Sequence, residues 1–360
     1  MFSGRDNGAA HYGFQQDSSV VVLKATTGLV VLCAVMAAGL AGCTSRSSGP
    51  AVKTVRIALS RDAITWLPVY LAQSLGYYRE EGLALTLTDV AGLSKGMEAL
   101  LGGSVDVAAS TTMLIIQLAA EGRDVRSFIT FYTLPNYALV VAPAAASTIH
   151  SVADLKGRRV GVSSPGSPTQ MLMNYSLVSH GLSPADVSMV TISTGAASLA
   201  AIERGQVDAA AVVGSAAAVL ERRYPGLTIL ADGRTSAGTE AAFGSKTFPS
   251  ASLISTESWL KANDDTARRL AQATLKAMAW LGSHSAEEAR MQIPEELRMP
   301  DAEGDLQAIR QAQRNLSRDG AMPPDGLDTA RRVLSASNDK VRTGTFDLSA
   351  LYTNEFVRRP

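Results

Sequence analysis

The chain has 360 residues, of which 46% are hydrophobic, and it carries 33 basic and 33 acidic residues. A chain of this length and composition can bury the cores of two lobes of ordinary domain size. Its zero net charge at neutral pH, without basic runs interleaved with aromatic residues, argues against nucleic acid as a partner.

The N-terminal region has the pattern of an export signal. No charged residue occurs from 25 to 43, and Leu-Ala-Gly directly precedes Cys43. This pattern predicts a signal peptide region over 1–42 and a lipidated Cys43, followed by a flexible tether over 43–53. We therefore expect an exported protein, lipid-anchored on the periplasmic or cell-surface side of a membrane. The alternative is a transmembrane anchor that stays uncleaved.

Two further expectations concern the same region. Residues 1–19 are polar and partly acidic, unlike the start of a signal peptide, so the translation start is expected near Val20 to Val22, just ahead of Lys24. Cys33 lies in the apolar segment and would be removed with it, so the mature domain should contain no disulfide.

The first elements predicted after the tether are a strand over 55–60, a helix over 69–75 that ends at Gly76, and a second strand over 83–90. The segment 99–109 then contains the end of a helix, a glycine suited to a left-handed helix end, and Val-Asp leading into a strand of small residues.

That last segment occurs twice. Residues 201–211 repeat the spacing of 99–109, with Gly205 in the place of Gly103, and strands are predicted upstream over 159–164 and 187–192. We interpret this as one βαβαβ unit used twice, which predicts two similar α/β lobes with a ligand-binding cleft between them. The alternative is that Gly-x-Val-Asp is a generic helix-to-strand turn.

The order of motifs in the first half resembles a known family. Leu-Pro-x-Tyr-x-Ala at 67–72 is followed by Gly-Tyr-Tyr at 76–78 and Glu-Gly-Leu at 81–83, and later by Asp-Leu-Lys-Gly at 154–157. These features resemble the periplasmic solute-binding proteins of ABC importers for nitrate, sulfonate and taurine, the SsuA/THI5-like (NMT1-like) family. The resemblance covers 52–231 well and the remainder only loosely.

The resemblance implies an α/β, two-lobed periplasmic binding protein fold (type II), in which each lobe is a doubly wound sheet flanked by helices. It also implies that the ligand binds in the cleft and is delivered to an ABC permease driven by an ATPase, with the carrier acting as a monomer. We expect lobe 1 over 54–141 plus 245–356, and lobe 2 over 142–244. The chain should cross between lobes at 142–148 and again within 231–252.

The C-terminal part should close lobe 1. An amphipathic helix is predicted over 256–283, with apolar residues at helical spacing, and further helices are predicted over 301–315, 327–336 and 348–356.

The candidate ligand-binding residues lie in loops that the duplicated pattern places at the cleft, most of them just before a predicted helix. Helix N-termini, glycines and hydroxyls offer hydrogen-bond donors to an anion such as a sulfonate, nitrate or carboxylate, although ordinary helix capping by Ser and Thr is the alternative. The candidates in the first lobe are Asp62, Ala63, Ile64, Thr65, Trp66, Gly92, Leu93, Ser94, Ser110, Thr111 and Thr112. Those in the second lobe are Ser163, Ser164, Pro165, Gly166, Ser167, Thr169, Thr194, Gly195, Gly214 and Ser215.

Three aromatic residues are candidates for stacking on the solute: Trp66, Tyr132 and Tyr137, the last of which is equally suited to the core. Arg61 follows the first strand and either pairs with an anionic solute or lies exposed beside the strand end.

Catalytic and metal-binding patterns are weak. The histidines at 11, 150, 180 and 284 are dispersed, and Ser258-x-x-Lys261 lacks its companion motifs and is interpreted as a helix start. We expect no enzyme activity, no metal and no cofactor. Two alternatives stay open: an enzyme of a small planar metabolite on the same fold, using Asp62 or the hydroxyls of 163–169, and a protein that presents its ligand to a membrane sensor.

Overall fold

The computed structural model describes residues 52–358. The expected signal peptide, the translation start and the lipidated Cys43 lie outside these residues. Within the described part, no helix combines the length and apolar character needed to cross a bilayer.

The first sheet has five strands in the order β2-β1-β3-β10-β4. The strands β1, β2 and β3 are parallel, and β10 runs antiparallel between β3 and β4. Their bounds are β1 Lys53–Leu59, β2 Leu83–Asp89, β3 Val107–Thr111, β4 Arg126–Thr130 and β10 Ala251–Ser255. Both β3 and β10 are buried along their whole length, as expected for central strands covered on both faces.

The second sheet repeats this design in the order β7-β6-β8-β5-β9. Here β6, β7 and β8 are parallel, and β5 runs antiparallel between β8 and β9. Their bounds are β5 Tyr137–Val141, β6 Arg159–Val162, β7 Ser188–Thr191, β8 Ala209–Val213 and β9 Ile229–Asp232. The strands of the second sheet follow one another in the chain, whereas the first sheet takes its antiparallel strand β10 from beyond the second. The chain therefore passes between the lobes twice, before β5 and before β10.

Helices cover the faces of both sheets. From residue 52 to 223 they are α1 Leu67–Ser74, α2 Tyr77–Glu80, α3 Leu93–Leu101, α4 Thr112–Ala120, α5 Pro168–Ser179, α6 Ala196–Glu203 and α7 Gly214–Arg223. From residue 224 onward they are α8 Ser236–Phe243, α9 Glu257–Ala262, α10 Asp264–Ser283, α11 Ala286–Gln292, α12 Ala302–Asn315, α13 Asp328–Ser335 and α14 Asp339–Thr343. Short 3₁₀ turns occupy Pro143–Ala145, Val152–Leu155, Pro184–Asp186, Glu295–Leu297 and Leu348–Leu351.

The duplicated Gly-x-Val-Asp segment has the same structure in both lobes. Asp106 accepts hydrogen bonds from Arg56 of β1, namely from the backbone N–H at 2.8 Å and from Nη2 at 2.7 Å. Asp208 accepts the equivalent bonds from Arg159 of β6, at 2.8 and 2.7 Å. Each aspartate therefore ties the start of the third parallel strand to the first, and this is the structural basis of the repeat.

The position of β5 differs from the sequence expectation. The strand pairs with β8 in the second sheet, with Tyr137 opposite Val213, so it belongs to lobe 2 rather than lobe 1. The chain therefore crosses between the sheets at 131–136, not at the expected 142–148. No sequence pattern predicts this placement, because a fully apolar strand fits the interior of either sheet. The return crossing lies between β9 and β10.

The C-terminal helices also differ from the expectation. The helix predicted over 256–283 is two helices, because Asn263 has φ −129° and its side-chain amide donates to the carbonyl of Trp259 at 3.1 Å. The helix predicted over 348–356 is only the 3₁₀ turn Leu348–Leu351.

These helices do not close lobe 1 alone. While α10 packs on α1 of the first lobe, α12 packs on α7 of the second, and α13 contacts α4 of the first and α5 of the second. The end of the chain thus touches both lobes.

Candidate functional site

A cavity lies between the sheets, where β1 and β3 of the first lobe and β6 and β8 of the second lobe end. Parallel strands arranged in this way bring their following loops together. The cavity has a volume of about 90 Å³, less than the roughly 150 Å³ of an apolar cavity that holds benzene. In the conformation described, this central cavity is therefore tighter than one that holds a benzene ring, and a solute of that size needs a slightly more open arrangement of the lobes.

Many of the residues predicted from the sequence line the central cavity. They are Asp62, Thr65, Trp66, Gly92, Leu93, Thr111, Thr112, Tyr132, Tyr137, Ser163, Ser167, Thr169 and Thr194. They come from the loops after the parallel strands of both lobes and, in the case of Tyr132 and Tyr137, from the first crossing and the start of β5.

A second group of predicted residues borders a different pocket. This outer pocket shares Asp62 and Thr194 with the central cavity, so the two adjoin at these side chains. Its other borders include Arg61, Ala63, Ile64, Gly195, Ser215 and Arg298. Arg61 places Nη1 3.5 Å from Asp89 and is exposed, as in the surface alternative for this residue.

The remaining predicted residues lie outside both linings. Ser110 is fully buried in β3, Pro165 is exposed, and a Cβ on Gly214 would lie 2.0 Å from Oδ1 of Asn136. Gly214 therefore serves close packing against the first crossing. Ser94, Ser164 and Gly166 take part in contacts between the lobes.

A hydrogen bond joins the lobes beside the central cavity. The hydroxyl of Ser94, at the start of α3, donates to the carbonyl of Gly166 in the second lobe at 3.1 Å. Asp62 of the first lobe and Ser215, at the start of α7 in the second, border the outer pocket together. The Ser94–Gly166 bond therefore depends on the relative position of the lobes.

Asp62 is the charged residue of the central cavity. Its Oδ2 accepts a hydrogen bond from Oγ1 of Thr65 at 2.7 Å, and the backbone N–H of Thr65 lies 3.5 Å from Oδ1. Removal from water raises the pKa of Asp62, and the neighbouring donors, chiefly the hydroxyl and backbone N–H of Thr65, only partly oppose this effect. No Arg, Lys or His side chain occurs among the cavity-lining residues of the part that the structure describes.

The hydroxyls of the second-lobe loop bond mainly to one another. Oγ1 of Thr169 lies 2.8 Å from Oγ of Ser163 and 2.9 Å from Oγ of Ser167, and it also accepts from the backbone N–H of Ser163 at 2.9 Å. Ser167 caps α5 by accepting from the backbone N–H of Gln170 at 3.3 Å. These contacts match the helix-capping alternative, since they occupy hydroxyls that the sequence offered to an anion.

The aromatic candidates are held by the core. Trp66 is fully buried, donates from Nε1 to Oγ of Ser60 at 2.9 Å, and packs edge-on against Phe131 at 6.4 Å between ring centroids. The hydroxyl of Tyr132 donates to the carbonyl of Ile64 at 3.1 Å, and Tyr137 packs against Phe243. These rings line the cavity but do not present an open face, so the expected stacking has little support.

Several lining residues were missed by sequence reasoning. They are mainly apolar: Ala91, Met113, Pro135, Asn136, Leu172, Val212, Val213, Phe248, Ser250 and Ala251. Asn136 has φ 49°, a left-handed conformation that asparagine adopts more readily than most residues, which was a signal for a turn at the crossing. Phe248 comes from the return crossing, whose sequence has no distinguishing pattern.

The described residues contain no group of three or more His, Cys, Asp or Glu side chains able to hold a metal ion. The chemistry available to the central cavity is therefore that of one carboxylate, several hydroxyls, the backbone N–H groups at the starts of α3, α4 and α5, and an apolar wall.

Comparison with known proteins identifies the family. The model of the family described as NMT1/THI5 like matches residues 64–288, more than half of the chain. The chain belongs to the NMT1/THI5-like family. This confirms the resemblance inferred from the motifs of the first half.

Solved structures confirm the two-lobed type II α/β fold. A protein of Bordetella bronchiseptica RB50 is 32% identical, with a TM-score of 0.79 over 84% of this chain and 95% of that one. The alkanesulfonate-binding protein SsuA from Xanthomonas axonopodis pv. citri, solved with bound MOPS, is 17% identical, with a TM-score of 0.64 over 85% of this chain and 100% of its own.

Curated relatives of the NMT1/THI5-like chain include YtlA of Bacillus subtilis (strain 168), 26% identical over 71% of this chain and 74% of that protein. A shorter match, 29% identical over 39% of each chain, is to 4-amino-5-hydroxymethyl-2-methylpyrimidine phosphate synthase of Schizosaccharomyces pombe.

Proposed function

We propose that this protein is the solute-binding component of an ABC importer, which captures a small solute in the central cavity and delivers it to a permease. The observation that carries the proposal is an enclosed cavity at the carboxyl ends of strands from two lobes, within a family whose solved neighbours include alkanesulfonate-binding SsuA. The expected lipid on Cys43 would hold the protein beside the membrane that contains the permease.

The mechanism is closure of the lobes around the solute. A solute that contacts both linings stabilises the closed arrangement, because only there does the Ser94–Gly166 bond form together with the solute contacts. Opening at the permease breaks this bond and releases the solute.

The charge of the solute is the part of the sequence expectation that the lining supports least. Backbone donors at the helix starts favour an anion, but the cavity adds the half-buried carboxylate of Asp62 and no cationic side chain among its lining residues in 52–358. We therefore do not restrict the proposed solute to sulfonates, nitrate or carboxylates.

A thermal-shift screen of the purified protein against small metabolites of all charge classes tests the proposal. A ligand present at a hundred times its Kd should stabilise the protein by about 2.7 kcal/mol, which gives a rise in Tm of a few degrees. A compound that shifts Tm should be recovered chemically unchanged after incubation. A screen in which no compound of any class shifts Tm contradicts the proposal.

The enzyme alternative is favoured by one observation, the partial similarity to a synthase. In that case Asp62 would act as an acid or base, since it is the lining carboxylate whose pKa burial raises. Mass spectrometry of the screened compound distinguishes the two functions, because an enzyme would convert it and a carrier would return it.

A further inference from the structure

Within residues 52–358, Asp62 is the one carboxylate that lines the central cavity. Two carboxylates near strand starts, Asp106 and Asp208, each pair with an arginine of their own lobe. Asp62 instead accepts a hydrogen bond from the hydroxyl of Thr65, and the backbone N–H of the same residue lies 3.5 Å from it.

Two arginines lie near Asp62 but their guanidinium groups are directed elsewhere. Arg61 is its neighbour in sequence, yet its Nη1 lies against Asp89 at 3.5 Å. Arg298 borders the outer pocket, but its Nε donates to the carbonyl of Ile293 at 2.8 Å and its Nη2 to that of Met291 at 2.9 Å. Among residues 52–358, no cationic side chain is thus paired with Asp62 to balance a negative charge on it.

The carboxylate also has acceptor capacity to spare. An ionised carboxylate accepts about four hydrogen bonds, whereas the firm bond to Asp62 within its own lobe is the 2.7 Å contact from Thr65. Burying a charge is costly unless it is paired and hydrogen-bonded. The missing partner can come from the solute, because Asp62 lies in the cavity lining.

We propose that Asp62 is the specificity-determining residue of the central cavity, and that it binds a protonated amine or amidine group of the solute. The rest of the solute is an apolar body of about one ring, which contacts Leu93, Met113, Leu172 and Phe248 of the cavity wall. This inference rests on the proposed solute-binding function and names the chemical class of the solute.

Matched probes test this assignment on the full-length protein. Benzylamine, benzyl alcohol and benzoate have the same ring and differ in the charge of the group that would face Asp62. We expect benzylamine to bind at least tenfold more tightly than benzyl alcohol, and benzoate to bind most weakly, as measured by isothermal titration calorimetry.

Two variants locate the effect. Asp62→Asn should weaken benzylamine binding at least tenfold and reduce its preference over benzyl alcohol, because the amide keeps the shape but removes the charge. Asp265→Asn is the matched control: this exposed carboxylate pairs with Arg269 of its own helix, outside both pockets, and the loss of its charge should leave benzylamine affinity unchanged. Circular dichroism confirms that both variants fold.

Tighter binding of benzoate than of benzylamine by the wild type, or unchanged benzylamine affinity in Asp62→Asn, overturns the inference. The metabolite screen separates this failure from failure of the proposed function. If all hits are anionic, the carrier function is supported but the assignment of an amine or amidine solute is refuted. A screen without hits counts against the carrier function itself.

Discussion

The two lobes are alike at the strand ends remote from the central cavity and different at the ends that face it. At the remote ends, Asp106 and Asp208 make the same bonds to Arg56 and Arg159, within 0.1 Å for the corresponding pairs. At the facing ends, the loop after β1 carries a carboxylate, whereas the loop after β6 carries hydroxyls that bond to one another. The repeated segments therefore form the frame, meaning the sheets and helix-to-strand turns that both lobes share. The loops in which the two copies differ form the site.

The largest expected effect on stability comes from removing the aspartates that the two lobes share. Asp106→Ala and Asp208→Ala each remove a carboxylate that accepts three hydrogen bonds from one arginine. Each variant should lose about 2–3 kcal/mol of unfolding free energy, as expected for bonds to charged groups. Urea denaturation measures both.

The exposed carboxylate Asp265, paired with Arg269 one turn later in α10, provides the control, and Asp265→Ala should cost at most about 0.5 kcal/mol. A large loss for one of the two repeat aspartates with little for the other would show that the duplicated segments are not equivalent.

The second prediction concerns the hydroxyl loop. The double variant Ser167→Ala, Thr169→Ala removes the cap of α5 and the hydroxyl network around it, so it should destabilise the protein by about 1–2 kcal/mol. Affinity for a solute found in the screen should change less than threefold.

Ser179→Ala, near the opposite end of α5, is the control for that experiment, since its hydroxyl contacts the carbonyl of Ser176 and Nδ1 of His180, outside the cavity lining. If the double variant lost much affinity with unchanged stability, the second-lobe loop would instead bind the solute, as the sequence predicted for an anion site.

The third prediction uses the raised pKa of Asp62. Because the folded protein holds this proton more tightly than the unfolded chain does, ionisation of Asp62 should cost the unliganded protein stability as pH rises from about 4 through the folded-state pKa. Asp62→Asn lacks this cost, so it should be more stable than the wild type at pH 7, by about 1 kcal/mol, with a smaller difference at pH 4.

Urea denaturation at pH 4, 5.5 and 7 follows that difference. If Asp62→Asn instead becomes less stable than the wild type as pH rises, the charge of Asp62 stabilises the fold. In that case the loop after β1 does not differ from the loop after β6 by carrying an uncompensated charge.

The smallest expected effect concerns the bond across the cavity mouth. Ser94→Ala removes the donor to Gly166 and should weaken solute binding about two- to fivefold, equivalent to about 0.5–1 kcal/mol. Ser94→Thr keeps the hydroxyl and should restore most of the affinity. Equal affinities for the wild type and Ser94→Ala would show that this bond does not contribute to closure.

Much of the frame was predictable because it depends on local patterns. The spacing of Gly103 and Gly205 before Val-Asp predicted the helix-to-strand turns, and both glycines have positive φ, at 72° and 64°. The predicted strands over 55–60, 83–90, 159–164 and 187–192 correspond to β1, β2, β6 and β7 to within two residues at each end.

The site was less predictable because it depends on contacts distant in sequence. Phe248 and Leu172 line the same cavity as Asp62 although they are more than a hundred residues from it, and no local pattern marks them. The hydroxyls of Ser167 and Thr169 were the reverse case: their residue types suited an anion, but short-range hydrogen bonds within the loop occupy them.

The sequence by itself determined the α/β class, the internal duplication and the family. All three depend on local features, namely the spacing of apolar residues along helices and strands and the turns that need glycine. Only the tertiary structure decided that β5 belongs to the second sheet and that Asp62 faces a cavity whose lining, within 52–358, contains no Arg, Lys or His side chain. Both outcomes depend on which surfaces meet when the lobes pack, and on the solvent that this packing excludes.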